Sequence, residues 1–221
     1  MINRRQPIRE DRLFFKKARD MKIASHNSWT FLRPKKWWMR LIAFTARCQR
    51  KDILQQYFDH NVRCFDLRVR FDKHGNPILA HGIIEYDADK EYLYHILSLL
   101  NGRSVLIDPV YIRLIHEVRS EMEHTQQSVL RFQAFCKEVE KEFPSIYFFG
   151  GENLLPGASR CVDYELHGKH PSILELYASV TKPRVLDDWW PWLYAVTHNK
   201  ENIAKGTDRE FLMMDFVDLC Q

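Results

Sequence analysis

The sequence contains no apolar run able to cross a bilayer. Its longest, Trp37 to Ala46, is interrupted by Arg40 and is too short against the roughly 20 residues a spanning helix needs. The first 22 residues are basic and lack the apolar stretch of a secretory signal, so a cytoplasmic location is expected. Cysteine is sparse and poorly spaced for cross-linking. Cys48, Cys64, Cys136, Cys161 and Cys220 are odd in number and include no C-x-x-C pair, which argues against a disulfide framework and against a structural zinc site. Internal repeats and low-complexity linkers are also missing, and residues 1–221 read as a single domain.

What is present suits a folded domain. The 221 residues are 45% hydrophobic and 28% charged, enough apolar material for a sizeable core. Net charge is only +4, but it is unevenly spread. Residues 1–51 hold 15 Lys/Arg against 3 Asp/Glu, whereas residues 52–221 hold 18 against 26. Such asymmetry implies a basic surface facing something anionic, either a nucleic acid or an acidic phospholipid surface.

Strand and helix signals alternate along the chain. A first strand over 21–25 leads into His26, and Asp52 is placed to cap a helix over 53–60. Leu93, Ile96, Leu97 and Leu100, at helical spacing, mark an amphipathic helix that Asn101-Gly102 is expected to stop. A fourth strand lies within 110–119, with Tyr111, Arg113, Ile115 and Glu117 on one side. The longest helix is expected over 126–143, burying Val129, Phe132, Phe135, Cys136 and Val139 before Pro144 ends it. Strands follow at 146–149, near 161–166 and at 211–217, with a helix around 187–198; a short helix over 11–19 precedes them all. This alternation predicts an α/β fold of parallel strands, a (β/α)₈ TIM-type barrel. Such a barrel usually takes about 250 residues, and only six residues follow Asp215, so a shortened or irregular version is expected.

The most informative stretch is Val62-Arg63-Cys64-Phe65-Asp66-Leu67-Arg68-Val69-Arg70-Phe71. Phe65, Leu67, Val69 and Phe71 alternate with Cys64, Asp66, Arg68 and Arg70, the mark of a strand with one apolar and one polar face. After the turn Lys73-His74-Gly75-Asn76-Pro77, the run Ile78-Leu79-Ala80 ends on His81-Gly82; upstream, Ala24-Ser25 ends on His26-Asn27-Ser28. Two histidines with a fixed cation are equipment for acid–base attack on a phosphate ester.

In order and spacing, Ser25-His26-Asn27-Ser28-Trp29-Thr30, Val62-Arg63-Cys64-Phe65-Asp66-Leu67-Arg68 and Ile78-Leu79-Ala80-His81-Gly82 resemble the X-domain of phosphatidylinositol-specific phospholipase C, in its bacterial form. The resemblance covers about residues 21–85 and extends to Asp215. It implies a phosphodiesterase with His26 as general base, His81 as general acid and Arg68 holding the phosphate. Asp66 would orient His81 or Arg68, and Asp215 would fix the tautomer of His26. Asn27, Arg113 and Glu117 are candidates for substrate contact, with Asp163 and Glu165 also in plausible places. The other eight histidines are read as structural.

The resemblance leaves the metal open. Eukaryotic relatives use calcium held by carboxylates of the second strand; Arg68 stands at one such position, so no metal or other cofactor is expected. Asn27, where bacterial members usually carry Asp, keeps Ca²⁺ as the alternative. The expected partner is a phospholipid or small phosphodiester, with peripheral contact to an anionic membrane surface through Lys35-Lys36-Trp37-Trp38; no nucleic acid is expected. Two other readings are a catalytically inactive phospholipid- or inositol-phosphate-binding module and a glycerophosphodiester phosphodiesterase. The latter needs a cluster of metal-binding carboxylates, and no matching E-x-D pair follows the second strand.

Overall fold

The computed structural model describes residues 22–106, 108–119, 123, 125–153, 164–165, 171–178, 186–207 and 210–220. The helix expected over 11–19 and most of the strand expected near 161–166 lie outside the described residues. In chain order the elements are β1 (Lys22–Ser25), α1 (Trp37–Ile42), α2 (Ile53–Asp59), β2 (Val62–Phe71), β3 (Pro77–His81), β4 (Ile84–Glu85), α3 (Lys90–Leu106), β5 (Val110–Glu117), α4 (Gln126–Glu142), β6 (Ile146–Asn153), β7 (Tyr164–Glu165), β8 (Ile173–Glu175), α5 (Pro191–Lys205) and β9 (Phe211–Met214). Short 3₁₀ turns occupy Ala43–Thr45, Leu186–Trp189 and Val217–Leu219.

Six strands run parallel in the order β6-β5-β2-β1-β9-β8. Three short strands are antiparallel: β3 on β2, β4 on β3 and β7 on β6. The sheet is a curled, shortened barrel of the TIM type, with six parallel strands among the described residues where a full barrel has eight.

Alternation along each strand separates two apolar layers. Phe65, Leu67 and Val69 of β2 join Leu93 and Leu97 of α3 and Phe132, Phe135 and Val139 of α4 in the main core, between sheet and helices. Cys64 of β2 joins Ala24, Phe149, Phe211 and Met213 in a smaller cluster on the other face. That second cluster floors the barrel. The next residues of the same parity, His26, Asp66, Arg68, Arg113 and Asp215, are polar and rise above it.

Local signals account for most element ends. Asp52 Oδ1 accepts from Gln55 N at 2.8 Å while Gln55 Oε1 accepts from Asp52 N at 3.4 Å, a reciprocal cap of α2 that contributes about 1 kcal/mol. Thr125 and Ser128 cap α4 in the same way. The expected stop at Asn101-Gly102 does not occur: α3 continues to Leu106. Asn101 uses its carboxamide oxygen to accept from Ser145 N at 2.9 Å, so it ties α3 to the start of β6 rather than ending the helix. Pro109 sets the outer limit of the helix, since the residue before a proline, here Asp108, is driven out of helical conformation. On β6, Gly150 has φ +141, and a Cβ there would lie 1.9 Å from the Leu114 carbonyl oxygen of β5.

One departure from the expected pattern builds the site. Arg68 lies within its strand rather than at its end, because β2 overshoots its neighbour. β1 pairs with β2 only as far as Ser25 opposite Phe65. Asp66 to Phe71 run on beyond it, and β3 returns antiparallel on the same edge, Val69 opposite Leu79 and Phe71 opposite Pro77. The turn between them is held by Asp72 Oδ1, which accepts from His74 N and Asn76 N at 2.8 Å each. The hairpin thus carries His81 back towards the barrel mouth.

Candidate active site

His26 and Asp215 follow paired strands. Ser25 of β1 lies opposite Met214 of β9, so the next residue of each comes out side by side. His26 Nδ1 is 2.7 Å from Asp215 Oδ1, and the other carboxylate oxygen accepts from Ala178 N at 3.0 Å. A carboxylate only accepts, so it places the proton on Nδ1 and leaves Nε2 as an acceptor. Asn27 Nδ2 at 2.9 Å and Arg68 Nη2 at 3.1 Å both donate to that Nε2. All of these side chains are buried.

Arg68 is fixed by two carboxylates. Its Nε and Nη2 donate to Asp66 Oδ2 at 3.2 and 3.0 Å, and its Nη1 donates to Glu117 Oε2 at 3.3 Å. Burial works against the charged form of all three groups, but their mutual attraction outweighs it. Arg68 is raised above its ordinary pKa, while Asp66 and Glu117 are held below theirs. Asp66 Oδ2 also accepts from Asn27 N at 3.1 Å, which fixes Asn27 at φ +45, a left-handed conformation that Asn tolerates.

His81 stands across the site. Its ring centroid is 6.4 Å from that of His26, with the planes at 80°. Asn27 Nδ2 lies 3.3 Å from His81 Nε2, and Glu117 Oε1 lies 3.6 Å from His81 Nδ1. Burial pushes His81 below the ordinary imidazole pKa, against the pull of Glu117. Glu117 Oε1 also accepts from Gly82 N at 2.6 Å. Of the two partners open to Asp66, the structure gives it Arg68; the carboxylate beside His81 is Glu117. Glu117, a candidate for substrate contact, is therefore taken up by Arg68, Gly82 and His81.

Arg113, also a candidate for substrate contact, pairs with a residue the sequence reading passed over: its Nη1 donates to Glu175 Oε1 at 2.8 Å. Tyr177 donates its hydroxyl to Glu175 Oε2 at 2.8 Å and stacks on His26, with centroids 3.6 Å apart and planes 11° from parallel. Ile173, Glu175 and Tyr177 share the inward parity of β8, but three strand residues are too few for the alternation to stand out. Asp163 lies outside the described residues, as do the side-chain surroundings of Glu165. Of the histidines read as structural, His116 stacks on Phe132 in the outer core with centroids 5.1 Å apart.

Calcium does not fit this arrangement. It needs several oxygen donors converging on empty space, whereas Asp66 and Glu117 converge on the Arg68 guanidinium. The cation of the site is a side chain.

No family model and no curated protein sequence matches the chain; the likeness is in the fold. Phosphatidylinositol-specific phospholipase C from Listeria monocytogenes superposes with a TM-score of 0.55 at 13% identity, over 92% of this chain and 91% of that one. A pentafluoro-Phe-incorporated phosphatidylinositol-specific phospholipase C from Staphylococcus aureus gives 0.58 at 14% identity, over 89% and 86%. A further Staphylococcus aureus structure, concerned with modulation of that enzyme's membrane binding, gives 0.55 at 13% identity over 89% and 86%. The class defined is an α/β barrel of the shortened TIM type. More particularly, the chain is built on the fold of bacterial phosphatidylinositol-specific phospholipase C.

Proposed function

We propose that the chain cleaves a phosphodiester of the phosphatidylinositol type by acid–base catalysis without a metal. The observation that carries this reading is the pair of imidazoles 6.4 Å apart with the Arg68 guanidinium 3.1 Å from His26 Nε2, a gap and a cation suited to one phosphate group. His26 Nε2 takes the proton of the inositol 2-hydroxyl, whose oxygen then attacks phosphorus. Arg68 stabilises the charge that builds on the phosphate oxygens. His81 gives its proton to the departing diacylglycerol oxygen, leaving a cyclic inositol phosphate. Asp215 holds the tautomer and orientation of His26. Arg113, held by Glu175, faces the head group from the inner wall.

The lipid is met at a membrane surface. Trp37 is 71% exposed and Trp189 60%, and Phe44 touches Trp190 with ring centroids 6.1 Å apart, so two aromatic clusters adjoin. Arg33, Arg40 and Arg47 share with Phe44, Trp190 and Trp192 an open groove of about 510 Å³. Exposed indole beside guanidinium suits the interface of an anionic bilayer. No helix among the described residues is long and apolar enough to cross a membrane.

The test is cleavage of phosphatidylinositol in mixed micelles, with and without EDTA. Release of a water-soluble inositol phosphate in both is expected. Folded protein that releases none sinks the proposal in favour of a binding module, and release that requires a divalent ion removes its metal-free part.

A further inference from the structure

We propose that Cys48, His26 and Asp215 form an inhibitory site for a thiophilic divalent cation such as Zn²⁺. The thiol sulfur, a ring nitrogen and a carboxylate oxygen of these three residues lie within 4.8 Å of one another, all buried. The nitrogen facing Asp215 is Nδ1, so an ion taking the place of its proton would bind sulfur, nitrogen and oxygen together. Sulfur and imidazole favour Zn²⁺, Co²⁺ or Cd²⁺ over Ca²⁺ and Mg²⁺.

The thiol is held in place by the segments that follow β1 and β9, which also carry its two partners. Cys48 N donates to Thr30 Oγ1 at 2.9 Å, and Phe216, next to Asp215, donates its N–H to Cys48 O at 2.6 Å. The neighbouring Gln49 donates Nε2 to His26 O at 3.1 Å and to Met214 O at 3.0 Å. Its distance to the catalytic pair is therefore a property of the sheet.

Charge and protons balance. The ion brings two positive charges; thiolate and carboxylate supply two negative ones, and a neutral assembly is what a buried site requires. The S–H bond breaks and one proton leaves to solvent. The imidazole stays neutral, its proton moving from Nδ1 to Nε2, and nothing is oxidised. That relocated N–H needs an acceptor, and the site contains one. Asn27 Oδ1, on a side chain 2% exposed, has no hydrogen-bond partner among the described residues; rotation of the carboxamide brings it to Nε2, and Arg68 Nη2 gives up the bond it makes there in the metal-free site. Asp66 Oδ2 is 3.9 Å from the same nitrogen.

Binding rests on the cluster alone; inhibition rests on the base role of His26, whose Nε2 can accept no proton once it carries one. The experiment separates the two. Titrating the reduced full-length protein with Co²⁺ should produce thiolate-to-cobalt charge-transfer absorption. The band should be lost in Cys48→Ser and in Asp215→Asn, which keeps the thiol, and be retained in Cys64→Ser, with circular dichroism reporting the fold of each. No band in folded wild type, or a band surviving both substitutions, overturns the site. In parallel, Zn²⁺ should suppress phosphatidylinositol cleavage by wild type, reversibly with EDTA. Cobalt binding without suppression by Zn²⁺ overturns the inhibitory half, and a wild type inactive without zinc refutes the catalytic reading while the absorption still decides the site.

Discussion

The imidazole of His81 meets that of His26 edge to face, and one carboxamide, that of Asn27, lies within 3.3 Å of the inner nitrogen of each. Asn27 Nδ2 and Arg68 Nη2 together hold donors where phosphate oxygens would approach. The proposed base, acid and phosphate-holding groups, His26, His81 and Arg68, thereby share one side of the barrel mouth, and their separate contributions are open to measurement.

Substitution should follow role. His26→Ala and His81→Ala should each reduce cleavage by roughly 10²–10⁴-fold, the usual scale of general acid–base catalysis. With a nitrophenyl ester, whose leaving group needs no protonation, the His81→Ala loss should shrink while the His26→Ala loss persists. Equal losses on both substrates would show that the division into base and acid is wrong.

As the proposed general acid His81 must carry a proton, and burial holds its pKa below the ordinary value while Glu117 works in the opposite direction. Activity governed by this group is full below its pKa and lost as pH rises through it. The alkaline limb of kcat/KM assigned to His81 should therefore fall below the ~6.5 of a free imidazole. Glu117→Gln removes an influence that raises the pKa, so the limb should move to lower pH. A limb that stays put or moves up contradicts the assignment.

Arg68→Asp deletes the built-in cation and leaves Asp66, Glu117 and the new carboxylate facing one another. Loss of one partner from a buried ion pair costs about 3–5 kcal/mol, so Tm should drop sharply. Calcium should raise the Tm of this variant and not of wild type, because three carboxylates and Asn27 supply the oxygen donors it favours. EDTA-resistant activity should vanish. Calcium-dependent activity in the wild type would instead make Asn27 and Asp66 metal ligands.

Gly150→Ala tests the contact between β5 and β6. Its Cβ would lie 1.9 Å from a main-chain oxygen, and neither strand can yield without breaking the ladder around it. The loss in denaturant-derived stability should exceed the ~1–3 kcal/mol typical of overpacking, while Gly102→Ala, with open space around its Cβ, should be neutral or stabilising. Comparable stability of the two variants would remove the constraint.

Vesicle sedimentation tests the surface. Trp37→Ala and Trp190→Ala should each weaken binding to anionic vesicles by about tenfold, the equivalent of ~1.4 kcal/mol of apolar burial. Arg40→Glu should weaken binding to anionic vesicles and leave the already weak binding to neutral ones unchanged. Unaltered partition of all three variants would remove the aromatic–basic surface from the account.

The polar face of β2 was legible because both sides of that strand are covered, so alternation separates chemistry from packing rather than inside from outside. The cap at Asp52 and the buried stripe from Phe132 to Val139 were legible for similar reasons: they depend on neighbours three or four residues away. Glu117 could be placed on the right face by period alone. Its pairing with Arg68 could not, since that depends on the register that sets Arg68 opposite Ile115. Cys48, Glu175 and Tyr177 left no local signal at all. They reach His26 from segments with no motif, through contacts that exist only once the sheet has curled.

The overshoot of β2 divides the labour of the site between two mechanical parts. His26 and Asp215 follow strands locked side by side within the parallel sheet, while His81 rides on a hairpin attached along one edge of β2. A change in the Asp72–Pro77 turn or in the short β3–β4 pairing can re-aim His81 without disturbing the His26–Asp215 pair. Under the proposed mechanism, the leaving-group end of the reaction can thus be tuned separately from the nucleophile end.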